Sequence, residues 1–233
     1  MKIEIWSDIY CPFCYIGEQH LKAALEKFPQ AHHIQVVYKS FQLDPSLEKG
    51  QAKETASYVA EKYGIRVDQA RLNYQGIEAA GKAVGLEMDF EAAIITNTLD
   101  SHRLIHWAAE KGYMQEMVDR LFKAHFEEGL HLGEYQVLAD LAGQIGLDEE
   151  EALEVLESGA YADQVAADEA EGQALGVTSV PFFVFNRELA ITGAQPTAVF
   201  EEAIETAFGL KKGLKLVTGN ENRSCGPEGC RIN

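Results

Sequence analysis

Basic residues are scarce in this chain. Its 233 residues carry 20 Lys and Arg against 37 Asp and Glu, a formal net charge of −17. Nucleic acid and anionic membrane surfaces are bound through a basic footprint, so neither is an expected partner. No run of about 18 apolar residues occurs, which excludes a membrane-spanning helix. The start, MKIEIWSDIYC, lacks the basic segment and apolar stretch of a secretory leader. The expected location is therefore cytoplasmic. Cysteine is sparse as well. Four are too few for a disulfide scaffold of this size, and in a reducing compartment they point to metal or redox chemistry. Apolar material is not lacking. At 46% it argues against wholesale disorder, and the length fits one large domain or a domain with a sizeable insertion.

Strand and helix signals fall in three blocks. Residues 2–7, KIEIWS, alternate as a strand does. A helix is predicted from Pro12, a residue suited to a first turn, with Leu21, Leu25 and Phe28 at helical spacing and Pro29 ending the run. Residues 33–43, HIQVVYKSFQL, read as a second strand that Asp44-Pro45 breaks. From about 52 to 175 strand signals vanish, and glycines at 64, 85, 112, 129 and 146 punctuate a series of five to seven helices. Strand character returns at Val180-Pro181-Phe182-Phe183-Val184-Phe185. Asn186-Arg187 is a hairpin turn candidate, Glu188–Thr192 the returning strand, and Thr197–Phe208 a helix. The polar end, GNENRSCGPEGCRIN, reads as a loosely ordered tail.

Cys11-Pro12-Phe13-Cys14 is the sharpest chemical signal. The thiolate is the reactive form of cysteine, and a helix N-terminus stabilises it through unpaired N–H groups. Two intervening residues let the first cysteine attack and the second resolve a mixed disulfide. On this reading the helix lowers Cys11 into the reactive range of about 3.5–7.5, against roughly 8.5 for a free thiol. Cys14, less exposed, titrates higher. The alternatives are half of a zinc site or two inert buried cysteines. A zinc site needs two more ligands, and the other cysteines, Cys225 and Cys230, lie far along the chain.

The order strand, CPFC, helix, helical insert, then GVTSVPFFVF and ITGAQP resembles the DsbA-like branch of the thioredoxin superfamily. Within it, DIYCPFCYIG and the cysteine-bearing C-terminus resemble the FrnE-like proteins, over nearly the full chain. The resemblance implies an α/β thioredoxin fold with a large all-helical insertion and dithiol–disulfide exchange. Residues 1–50 and 176–210 would form the thioredoxin-like domain, 51–175 the inserted helical domain, and 211–233 a flexible tail with the second cysteine pair. It also implies that Val180-Pro181 is a cis dipeptide facing the cysteines, so that Pro12, Phe13, Val180 and Pro181 form the substrate groove. One departure matters: the periplasmic oxidants carry a His between their cysteines, whereas this chain carries Phe13, which implies a weaker oxidant.

Other features carry blander readings beside their functional ones. Cys225-Gly-Pro-Glu-Gly-Cys230 is a turn-forming spacer between two cysteines, read as an accessory redox pair rather than an incidental one. His102 and His106, at i and i+4, could form a metal edge, but no ligand set completes it, and a packed face is the better reading. The resemblance places their helix beside the active site, so His102 is a groove-lining candidate. Residues 148–171 hold ten acids and no Lys or Arg, the pattern of a solvated helical face. Asp8 either tunes Cys11 or caps the turn that follows.

The function expected is a protein dithiol–disulfide oxidoreductase or isomerase with Cys11 as nucleophile, Cys14 resolving, and a relay to Cys225 and Cys230. It needs neither cofactor nor metal, because the cysteines carry the electrons. Its partners are protein thiols and disulfides, with glutathione or a thioredoxin-type protein exchanging electrons. Two rivals differ in class. One is a glutathione-dependent isomerase or transferase of the kappa-class or hydroxychromene carboxylate isomerase type, which typically has Ser at the first motif position. The other is a chaperone-like acidic docking module.

Overall fold

The computed structural model describes residues 1–209, 224–226 and 229–231. They fall into two compact units, one of Met1–Leu43 with Glu171 onward, the other of Asp44–Ala170.

The first unit is built on a four-stranded sheet. Strand β1 (Lys2–Ser7) is buried from Ile3 to Ser7, as befits a strand covered on both faces. Helix α1 (Pro12–Lys27) returns the chain, and β2 (Gln35–Ser40) pairs parallel to β1. After the second unit, β5 (Phe182–Phe185) pairs antiparallel to β1 and β6 (Leu189–Thr192) pairs antiparallel to β5, giving the order β2-β1-β5-β6. The β5–β6 turn spans three residues, Asn186–Glu188, and not the Asn186-Arg187 pair expected, because Phe185 pairs with Leu189; Asn186 and Arg187 both stand at positive φ, +48° and +61°, and the Glu188 N–H donates to the Phe185 carbonyl at 3.0 Å. Asn186 is held there: its Oδ1 accepts the Lys2 N–H at 2.9 Å and its Nδ2 donates to the Ala207 carbonyl at 3.0 Å. Helix α9 (Thr197–Ala207) packs on α1, and Phe183 meets Phe200 edge-on at 4.8 Å. The second predicted strand is shorter than 33–43, because Ala31–His33 forms a 3₁₀ turn first.

The second unit is helical: α2 (Thr55–Tyr63), α3 (Val67–Lys82), α4 (Leu99–Glu110), α5 (Met114–Phe126), α6 (Tyr135–Gln144), α7 (Glu149–Ser158) and most of α8 (Ala162–Ala174). It is not free of strand. β3 (Lys53–Glu54) and β4 (Ile94–Ile95) form a two-residue ribbon, too short to leave a periodic signal. Helix starts are marked chemically: Glu54 accepts the Ser57 N–H ahead of α2, and Asp148 the Glu151 N–H ahead of α7, each satisfying an otherwise orphan donor. Gly64 and Gly159 close those two helices at positive φ. Arg103, fully buried on α4, binds the Val155, Leu156 and Ala160 carbonyls at the end of α7, and also Asp100. The acidic stretch is not uniformly solvated. Asp168 is buried 3.0 Å from His106, and Glu151 binds Lys111.

Beyond α9, β7 (Ser224–Gly226) and β8 (Gly229–Arg231) pair as a small antiparallel hairpin in which Cys225 stands opposite Cys230. The rest of the predicted tail lies outside the described residues.

Candidate active site

Cys11 sits where β1 hands over to α1. It is the residue before the first helical turn, with extended backbone (φ −87°, ψ 107°), and Pro12 follows at a position where its missing N–H costs nothing. Its carbonyl accepts the Cys14 N–H at 3.0 Å, bringing the two cysteines one above the other. Both are free thiols.

The bond between Val180 and Pro181 is cis. Cys11 Sγ lies 3.7 Å from the Val180 carbonyl and donates to it, so the dipeptide and the first cysteine form one site although 169 residues separate them. Gly17 makes that approach possible. A Cβ there would stand 3.2 Å from both Pro181 Cγ and Phe183 Cζ. The signal in the sequence is a glycine inside an otherwise helical pattern, where alanine would be favoured unless packing forbids it.

Cys11 is not the exposed thiol that the sequence suggested; it is wholly buried. Burial, then the neighbouring Cys14, pushes it well above the ordinary thiol range, and the charge of Asp8 adds to the rise. The helix N-terminus does not outweigh these. The expectation of a Cys11 lowered into the reactive range is therefore corrected for this covered state. Asp8 does not cap α1 either. Its Oδ1 accepts the Ile9 N–H at 2.8 Å and its Oδ2 the Leu43 N–H at 2.7 Å. One turn beyond Cys14, the buried Glu18 takes the Tyr38 hydroxyl and lies 3.6 Å from Lys22.

The tail hairpin reaches this site. Cys225 N–H donates to the Val180 carbonyl and Val180 N–H to the Cys225 carbonyl, both at 2.7 Å. Strand β7 also lies against α1. Cys225 is buried and disulfide-bonded. Phe13 is buried beside Cys14 in the first turn of α1. His102 is buried on α4 in the helical unit. Among the described residues no group of three or more His, Cys, Asp or Glu is arranged to hold a metal ion, and no helix is long and apolar enough to cross a membrane.

A parallel β1–α1–β2 unit, an antiparallel β5–β6 pair, a cysteine pair at the start of α1 and a cis-proline beside it define a thioredoxin fold, here carrying a helical insertion. The family model of the DSBA-like thioredoxin domain matches residues 2–205, and the chain belongs to that family of oxidoreductases. A probable DsbA oxidoreductase from Streptomyces coelicolor is 38% identical, with a TM-score of 0.86 over 100% of this chain and 99% of that one. YwbO of Bacillus subtilis, an uncharacterised protein, is 28% identical over 88% of this chain and 96% of its own length. The cytosolic disulfide reductase DsbM of Pseudomonas aeruginosa, solved with GSH, shares the fold at 19% identity and a TM-score of 0.59, covering 90% of this chain and 100% of that one.

Proposed function

We propose that this protein is a cytoplasmic thiol–disulfide oxidoreductase acting on protein substrates through Cys11 and Cys14, with the tail cysteines as its internal relay. The observation that carries the reading is the contact of Cys11 Sγ with the carbonyl of Val180, the residue of the cis dipeptide whose backbone also pairs with Cys225. In the reducing direction, the Cys11 thiolate attacks a substrate disulfide. A Cys11–substrate disulfide forms and one substrate thiolate leaves. Cys14 then attacks Cys11 Sγ, the second substrate thiol leaves, and the Cys11–Cys14 disulfide remains. Two electrons have passed to the substrate. In the relay, the same two steps run between the Cys11–Cys14 pair and the Cys225 and Cys230 pair. Val180 and Pro181, with Pro12 and Phe13, would hold an extended substrate segment once the hairpin has left Val180. The FrnE-like assignment belongs to this proposal, and its support is the CGPEGC motif.

Glutathione is the small thiol best suited to reset the pair, a choice supported by the fold shared with the GSH-bound DsbM structure. Cysteine rather than serine at position 11 favours disulfide exchange over glutathione-dependent isomerisation. Insulin reduction tests the reading. Wild type should be active, Cys11→Ser inactive, and Cys14→Ser should accumulate Cys11 mixed disulfides, including one to the tail. Glutathione-dependent turnover that survives Cys14→Ser would turn the assignment to an isomerase or transferase.

A further inference from the structure

Val180 and Cys225 meet as a hydrogen-bonded antiparallel pair, each N–H donating to the other's carbonyl at 2.7 Å. In an antiparallel strand the N–H and C=O of one residue leave on the same side. Those of Cys225 are directed at Val180, so they cannot also serve β8. Cys225 and Cys230, opposite each other in the hairpin, are therefore a non-hydrogen-bonded pair. The alternation puts the hydrogen-bonded pair at Gly226 and Gly229, next to the two-residue connection. Cys225 is disulfide-bonded, whereas Cys11 and Cys14 are free thiols. The carbonyl of Val180 that takes the Cys225 N–H also faces Cys11 Sγ at 3.7 Å. A disulfide cysteine is thus presented to the site in one particular way. It stands on a hairpin strand, its own backbone groups turned outward, and one residue of the cis dipeptide takes up both.

We propose that the protein substrates of this site are disulfides bridging adjacent antiparallel strands at a non-hydrogen-bonded pair on a sheet edge, which Val180 selects by pairing with the backbone of the cysteine that Cys11 attacks. The inference rests on the disulfide-exchange reading above and names its substrate class. At a non-hydrogen-bonded pair a cysteine on an edge strand keeps its N–H and C=O free on the outer side, where Val180 adds as a neighbour. At a hydrogen-bonded pair the same two groups are spent inside the hairpin, and in a helix interior they are spent along the helix. In the reducing direction Cys11 Sγ bonds to the sulfur of the edge cysteine and the bridging S–S bond breaks. The cysteine of the neighbouring strand leaves as a thiolate and takes a proton. Cys14 then displaces the edge cysteine from Cys11. The substrate gains two electrons, and the Cys11–Cys14 pair, now a disulfide, has lost them.

The test uses the full chain and synthetic hairpin peptides of one composition, their disulfide placed at a non-hydrogen-bonded or at a hydrogen-bonded pair. Each peptide is reduced in a single turnover of the pre-reduced protein. Its second-order rate constant is divided by that with dithiothreitol, which removes intrinsic differences between the disulfides. The non-hydrogen-bonded hairpin should react about tenfold faster, the worth of two ordinary backbone hydrogen bonds. N-methylation of both its cysteines deletes the outward N–H groups and should remove the advantage. With one cysteine methylated, the adduct that Cys14→Ser traps should sit on the other. Equal normalised rates for the two registers, an advantage that survives double methylation, or an adduct on the methylated cysteine would overturn the proposal. Insulin separates this failure from that of the underlying reading. A wild type that reduces insulin and both hairpins alike keeps disulfide exchange and loses only the substrate class; one that reduces none of the three loses both.

Discussion

Val180 and Cys225 exchange both of their backbone hydrogen bonds, each at 2.7 Å, and the carbonyl in that exchange is the one Cys11 Sγ faces. A single peptide unit therefore serves the nucleophile and the tail together. An incoming extended segment that pairs with Val180 needs the same N–H and C=O, so tail and substrate compete for one edge.

Removing the tail should relieve that competition. A tether gives a bound segment an effective concentration in the millimolar range for a short flexible linker. Truncation after Thr218 should therefore lower KM for a peptide disulfide several-fold. The same variant should lose the Cys11–tail adduct that Cys14→Ser traps. An unchanged KM together with wild-type re-oxidation would mean that the hairpin neither occupies the substrate edge nor relays electrons.

The parts legible in the sequence were local. The CPFC motif lies at a strand–helix junction because an alternating strand runs directly into Pro12, and a few adjacent residues carry that pattern. The β5–β6 hairpin was legible for the same reason, its turn residues being contiguous. The cis state of Val180-Pro181 came from family resemblance, since a proline before a strand does not state its isomer. What escaped was non-local. The Cys11 thiol meets the carbonyl of Val180, far away in sequence, and Asp8 is fastened by the N–H of Leu43. No spacing rule encodes either pairing. Arg103 likewise reads as one more charge on an amphipathic helix, and only folding reveals that it closes the end of α7.

Asp44 gives the helical unit a defined acid response. Burial works against its charge, but Ser46, Tyr58 and Lys62 bind the carboxylate and hold it well below the usual range. A depressed folded-state value means that the unfolded chain binds the proton first. The stabilisation is therefore present above the unfolded value of about 3.9 and is lost as pH falls through the folded one. Asp44→Asn should be less stable than wild type at pH 7, and the gap should close progressively below pH 4. Urea titrations at pH 7, 4 and 3 measure it; a gap independent of pH would refute the linkage.

Arg103 should tolerate no neutral replacement. Its guanidinium donates to the Val155, Leu156 and Ala160 carbonyls and to Asp100, all from a buried position. Removing it leaves Asp100 with Lys49 at 2.8 Å but strips the last carbonyls of α7 of their buried donor, at about 1–3 kcal/mol for each group left unsatisfied. Arg103→Met should show that loss in chemical denaturation. Arg103→Lys should recover only part of it, because one ammonium cannot span four acceptors. Equal stability of the lysine variant and wild type would contradict the account.

Gly17 should couple stability to catalysis at one atom. The position is helical, where alanine is intrinsically favoured over glycine by about 1 kcal/mol. Here the added methyl would sit 3.2 Å from Pro181 Cγ and 3.2 Å from Phe183 Cζ, and 3.4 Å from the Ala194 backbone. None of these neighbours is the loose end of a flexible side chain: Pro181 is a ring, Phe183 is fully buried, and Ala194 presents its Cα. Overpacking of this kind costs about 1–3 kcal/mol, enough to reverse the helical preference. Because Pro181 is one of the two groups that must shift, the strain falls on the segment that faces Cys11 Sγ through Val180. Gly17→Ala should therefore lower the denaturation midpoint and slow insulin reduction, with kcat falling more than KM rises. A substitution elsewhere on α1 chosen to give the same loss of stability provides the comparison. If that variant loses as much kcat, the effect of Gly17 is general destabilisation and not displacement of the proline from the nucleophile.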